Sequence, residues 1–111
     1  MRHIMRLHNE PFILIKKGTK TIEMRLNDEK RQLIKVGDTI EFINRYNNDI
    51  IYVEVINLYY FNNFEDLYDS FDKTSIGYND GDEGNPNDMK QYYSNEEIDK
   101  FGVLAIEIKL L

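Results

Sequence analysis

Apolar and polar residues alternate with a period of two in one stretch of this chain after another, and that constrains the fold more than any other feature. Successive side chains of a strand point to opposite faces, so such alternation marks strands with one face in a core. Over residues 21–26, Ile22, Met24 and Leu26 fall on one side, and Thr21, Glu23 and Arg25 on the other. Ile40 and Phe42 alternate with Thr39, Glu41 and Ile43, and residues 50–61 read as a long strand with Ile51, Val53 and Val55 on one face. Leu104, Ile106, Ile108 and Leu110 alternate with Val103, Ala105, Glu107 and Lys109 in a closing strand, and residues 3–7 fit a short first one. Residues 44–49 form the loop of a hairpin.

Helical signals are fewer. Phe64, Leu67, Tyr68 and Phe71 recur at helical spacing, Asn63 is placed to cap them, and Glu65 and Asp66 sit at the positive end of the dipole. Ser94-Asn95-Glu96-Glu97 has capping-box spacing before a short helix that Gly102 can stop. Asn9-Glu10-Pro11 reads as a helix start with an Asn cap, and Gly18 as its stop. The run Phe12-Ile13-Leu14-Ile15 between them has no helical period and suits a buried strand equally well. Residues 79–88, rich in Asn, Asp and Gly, are expected as an exposed loop. The expectation is a small α+β domain of about five strands and about three short helices, a single unit over residues 1–111.

With no cysteine, disulfides, thiolate nucleophiles and Cys-based metal sites are excluded. No uninterrupted aliphatic or aromatic run is longer than that of Phe12 to Ile15, far short of the ~20 residues of a membrane span, so a cytoplasmic protein with no membrane partner is expected. The net charge of −6 is unevenly spread. Residues 1–45 hold ten Lys/Arg against six Asp/Glu, and residues 46–111 hold four against fourteen. An acidic total argues against broad duplex DNA binding, which rests on many phosphate contacts, but leaves room for a local anionic ligand at the basic first half.

The segment Gly18-Thr19-Lys20-Thr21-Ile22-Glu23-Met24-Arg25 places a Lys, a carboxylate and a guanidinium within six residues. Such a set suits a polar planar ligand, since Lys and Arg donate and Glu accepts; the bland reading is a solvated strand face with an ordinary ion pair. In a regular strand Lys20 shares the parity of Ile22 and Met24, opposite to Glu23. The two converge only where Lys20 lies in the turn before regular strand geometry begins.

The pattern Gly18-x-Lys20-x-x-Glu23-x-Arg25, the charged segment containing Arg31, and Val36-Gly37-Asp38-x-Ile40-x-Phe42 together resemble the ASCH domain family. The resemblance continues through the strand around Ile51 to Val55, Phe64-Glu65-Asp66-Leu67, Tyr92-Tyr93-Ser94 and Gly102-Val103-Leu104-Ala105-Ile106. It implies a small PUA-like β-barrel, a helix over residues 10–17, and a cleft for RNA or a modified nucleoside with Lys20, Glu23 and Arg25 at its floor and Arg31 and Tyr93 at its rim. No P-loop or dinucleotide fingerprint is present, and no cofactor is expected. Some small ASCH proteins are acetylcytidine amidohydrolases that use a Lys, a Thr three residues on and a distant Glu, and one branch has ribonuclease activity. Lys20 matches the first of these positions, and Glu23 stands where the Thr would be. A metal-independent hydrolase with Lys20 and Glu23 as its catalytic pair is therefore the alternative to a binding protein.

His3 and His8 lack matched ligands nearby, and residues 80–84 lack calcium-loop spacing, so no metal site is expected. Asp38 after Gly37 reads as a turn residue. Lys16, Lys17, Lys30 and Lys35 are candidate phosphate contacts or plain solvated charges. A third reading takes the acidic second half as a docking surface for a basic protein partner.

Overall fold

The computed structural model describes all 111 residues. Five strands, β1 (Arg2–Leu7), β2 (Ile22–Leu26), β3 (Thr39–Asn44), β4 (Ile50–Phe61) and β5 (Val103–Leu110), form one curled sheet in the order β1-β3-β4-β5-β2. Three α-helices accompany it: α1 (Asn9–Lys17), α2 (Phe64–Ser70) and α3 (Asn95–Phe101). The architecture is the α+β half-barrel of the PUA-like fold. No helix is long and apolar enough to cross a membrane.

β1 and β3 run parallel, and every other pairing is antiparallel. A parallel pair needs a long crossover, which the α1–β2 segment supplies. That crossover places β2 at the far edge of the sheet, so the curl brings the two edge strands, β1 and β2, towards each other across a seam. β4 spans both halves of the curl: Ile50–Glu54 pair with β3, and Val53–Phe61 with β5. A register shift between Val55 and Asn57 bends the strand where it changes partner.

Two cores lie on the two sides of the sheet. One, inside the curl, joins Met5 and Leu7 of β1, Ile40 and Phe42 of β3, Val53 and Val55 of β4 and Leu104, Ile106 and Ile108 of β5 to Phe12 and Ile15 of α1. The other packs Ile22, Met24, Leu26, Val103 and Ala105 against Phe64, Leu67, Met89 and Ile98. β5 is buried on both faces over Val103–Ile106, because its two side-chain sets feed different cores.

The segment with no helical period is the helix α1, which buries Phe12 and Ile15, a single i, i+3 pair. Gly18 ends it in the left-handed region at φ 86°. Its cap differs from expectation. The capping position is His8, with no side-chain cap, because the Asn9 Oδ1 accepts instead from Asn44 Nδ2 at 2.9 Å. At α2, Asn63 caps through the Asp66 amide, and at α3 Ser94 and Glu97 form a full capping box.

Candidate functional site

Gly18 reverses the chain after α1, and Lys20 falls in the turn that follows, outside regular strand geometry. The amides of Thr19 and Lys20 both donate to the Leu14 carbonyl, and those of Thr21 and Ile22 to the Ser75 carbonyl. The turn is thus held from two sides, and Lys20 escapes the parity that would have sent it away from Glu23. Its Nζ lies 2.9 Å from Glu23 Oε1. On the other side, Arg25 donates from Nε and Nη2 to Glu23 Oε2 at 3.0 and 2.9 Å. The second hydrogen of Nη2 reaches across the seam to the Arg6 carbonyl of β1 at 3.2 Å.

This polar face of β2 is buried rather than solvated. Lys20 is 7 % exposed and Glu23 3 %. The Lys20 stem lies over Gly77, whose φ of 114° and missing side chain make room: a Cβ there would stand 3.2 Å from Lys20 Cδ. Burial alone would push the Glu23 carboxyl up; the neighbouring charges of Lys20 and Arg25 and their hydrogen bonds outweigh it and hold the group down at about 2. Burial likewise works against the Arg25 charge, and the Glu23 carboxylate overcomes it, raising the guanidinium pKa above its usual value.

A carboxylate offers about four lone-pair sites. Those of Glu23 are taken up by Lys20, the Met24 amide at 3.3 Å and the two Arg25 donors. Glu23 is therefore a clamp with no acceptor to spare. The cluster carries a net positive charge, and the spare donors on Lys20 Nζ and Arg25 Nη1 are its outward chemistry.

The three side chains line one cavity of about 650 Å³, within the usual range for small-ligand sites. Tyr68, Tyr78, Tyr92 and Tyr93 furnish aromatic wall, and Arg6, His8, Glu10 and Arg45 line it from the β1 side. Tyr93 lies face to face with Phe64, with centroids 6.0 Å apart and planes 13° from parallel. Burial raises its phenol pKa against the pull of Arg25 and Arg31. The Tyr68 and Tyr78 hydroxyls are 2.9 Å apart, and Tyr78 also donates to Asp88 Oδ2 at 2.7 Å. Burial raises both phenols.

Arg31 stands outside the cavity lining. Its Nη1 donates to Asp28 Oδ2 at 2.8 Å and its amide to Asp28 Oδ1 at 3.1 Å, a clamp on its own turn, and its Nε is buried without a partner. Lys16, Lys17, Lys30 and Lys35 are likewise absent from the lining. The cavity cations that sequence reasoning did not single out are Arg6 and Arg45; no local pattern marks them, because the β1–β3 pairing brings them together. Of the acidic loop, Asp82 and Asp88 face the cavity. No group of three His, Asp or Glu is arranged to hold a metal ion.

The family model that matches is the ASCH domain, over residues 5–111. The crystal structure of hypothetical protein PH0355 superposes with a TM-score of 0.87 at 32% identity, covering the whole of both chains. The solution structure of protein PF0455 from Pyrococcus furiosus gives 0.77 at 32% identity, covering all of this chain and 98% of that one. An ASCH protein of Zymomonas mobilis, crystallised as its S128A mutant, shares the fold at a TM-score of 0.63 and 13% identity, over 97% of this chain and 67% of its own. No curated protein matches the chain. With the family model spanning nearly every residue and the same fold in its structural neighbours, the chain belongs to the ASCH domain family.

Proposed function

We propose that the cavity binds RNA or a modified nucleoside, with Lys20 and Arg25 donating to the base and Glu23 holding both in place. ASCH domains are in general RNA-binding. The observation that carries the reading for this chain is the convergence of Lys20, Glu23 and Arg25, buried, on one cavity large enough for a base. Two spare donor groups on one floor suit the carbonyl and ring-nitrogen acceptors of a base edge. Tyr93, and Tyr92 beside it, offer faces against which a base can stack, a contact worth about 1–3 kcal/mol per base.

Binding is favoured over turnover. A carboxylate held down at about 2 is a weak proton acceptor at neutral pH, and its acceptor sites are already occupied, which counts against Glu23 as a general base. The test is titration of free nucleosides and short single-stranded RNAs into the wild type and Arg25→Ala, each checked for folding by circular dichroism. The wild type binds, and Arg25→Ala loses about tenfold or more in affinity, as expected for a charge-assisted hydrogen bond. No binding to any probe at low salt overturns the reading. Release of acetate from acetylcytidine by the wild type and not by Lys20→Ala replaces it with the hydrolase.

A further inference from the structure

The ionic groups around the cavity are sorted by sign. A continuous chain of contacts runs along its floor, from Gly77 under the Lys20 stem, through Lys20, Glu23 and Arg25, to the Arg6 carbonyl. At the Gly77 end lie Tyr78, Asp82 and Asp88. At the Arg6 end lie Arg6 and Arg45, with Glu10 the acidic residue on that side. Arg6 and Arg45 differ from the other arginines near the site. Arg25 is paired with Glu23, Arg31 with Asp28 and Arg2 with Glu41, whereas the Arg6 and Arg45 side chains are exposed and have neither an ion pair nor a hydrogen bond.

The backbone holding them is fixed. The Arg45 amide donates to the Leu7 carbonyl at 2.8 Å, tying the β3–β4 loop to the end of β1. Asn44, fully buried, bridges that loop to α1: its Nδ2 donates to Asn9 and its Oδ1 accepts from the Tyr46 amide. The same bridge removes Asn9 from capping, so the amino end of the nine-residue α1, with His8, Glu10 and Pro11 on the cavity wall, is left without a side-chain cap. Two arginines with unpaired side chains and the positive end of a helix dipole thus share one rim, a favourable place for an oxyanion.

We propose that Arg6 and Arg45 form a phosphate subsite, so that the ligand is a nucleotide rather than a bare nucleoside, its phosphate on this rim and away from Asp82 and Asp88. This rests on the reading of the cavity as a base-binding site and adds the phosphate and its direction. A free nucleotide and a phosphate within RNA present the same chemistry here, and the test separates them.

Calorimetric titration compares cytidine and adenosine, their 5′- and 3′-monophosphates, a single-stranded tetranucleotide and inorganic phosphate, on the wild type, Arg45→Glu and Arg6→Gln/Arg45→Gln. Arg45 is exposed on a loop, so the single variant keeps the test alive if the double one misfolds. In the wild type a monophosphate binds about 10- to 100-fold tighter than its nucleoside, the worth of one or two charge-assisted contacts. In both variants that ratio collapses towards one. A tetranucleotide that outbinds every monophosphate identifies RNA as the source of the phosphate; the reverse identifies the free nucleotide. Equal affinity for nucleoside and monophosphate in the wild type, or a ratio that survives both variants, overturns the subsite while leaving the base-binding reading standing. Phosphate binding lost in the variants, with no nucleoside bound by any of the proteins, does the opposite. No binding of any probe overturns both.

Discussion

Two carboxylates in this molecule are held at about 2, and they do different things. Asp38 lies in the turn before β3 and is surrounded by donors: His3 Nε2 at 2.8 Å, the Lys35 amide at 3.0 Å and the Met1 amino group at 3.2 Å. The His3 hydrogen bond is the largest influence on it, and one of its cationic partners, the Met1 amino group, is exposed. Glu23 reaches a similar value by another route, with two full cations overcoming a large burial penalty, and its cluster forms the floor of a cavity. A depressed carboxyl is thus no marker of a functional site by itself. Asp38 uses up its neighbours to fix a turn, whereas around Glu23 the cations outnumber the carboxylate and retain donors that point outward.

The largest expected difference between the two follows from burial. Glu23→Gln leaves Lys20 and Arg25 as buried cations without a counter-charge, and breaking a buried pair in this way costs about 3–5 kcal/mol. Urea denaturation should show the midpoint falling accordingly, a large part of the stability of a domain this size. The pH dependence has a definite sign. Because the folded-state value of about 2 lies below the ordinary 4.5, the stabilisation is complete above the ordinary value and disappears as pH falls from about 5 towards 2. Glu23→Gln should therefore flatten the loss of stability across that window. A variant as stable as the wild type, with the same acid limb, would show that the buried cluster contributes nothing to folding.

The strands were legible because burial on at least one face imposes period two, and β3 shows it over its whole length. The caps at Asn63 and Ser94 were legible because a cap is a local device, readable from a residue and its neighbour three positions on. α1 resisted because Phe12 and Ile15 are its only buried residues, too few for a period, and the family resemblance supplied what pattern could not. The Lys20–Glu23–Arg25 cluster was half legible. Residue types and spacing were visible, but whether Lys20 and Glu23 face each other depended on a turn fixed by Leu14 and Ser75, the latter more than fifty residues away. Arg6 and Arg45 were not legible at all. They meet through a parallel pairing between β1 and β3 and a buried asparagine bridge, and neither leaves a signature in sequence separation.

A smaller effect should come from Gly77→Ala, which probes the floor without touching a charge. The residue sits at φ 114°, where a side chain is strained, and its Cβ would press on Lys20 Cδ at 3.2 Å. The strain costs on the order of 1–3 kcal/mol, less than losing the carboxylate. Because Lys20 must give way, affinity for a nucleoside or RNA probe should fall with stability. Gly18→Ala, also at positive φ but with open space around its Cβ, separates the two effects: it should lose stability and keep affinity. Equal affinity losses in both variants would show that Gly77 acts through general destabilisation and not through Lys20.

The smallest effect is expected at Asp38, and salt sharpens the comparison with Glu23. Asp38→Asn keeps the shape of the side chain and one acceptor oxygen, so the Lys35 amide can still find a partner, while the attraction to the Met1 amino group is lost. With the Met1 partner exposed to solvent, such a pair is worth about 1 kcal/mol or less. Charges this close to solvent are screened, with a Debye length of roughly 3 Å at 1 M salt, whereas a buried cluster is screened far less. The stability gap between wild type and Asp38→Asn should therefore narrow markedly between 0.05 and about 1 M sodium chloride, and the gap for Glu23→Gln should barely move. Measured by urea midpoints at the two salt concentrations, the contrast tests how the two clusters are built. If the Glu23→Gln gap closes with salt as the Asp38→Asn gap does, water and ions reach the floor freely, and the donors of Lys20 and Arg25 lose the dry setting that makes them effective towards a ligand.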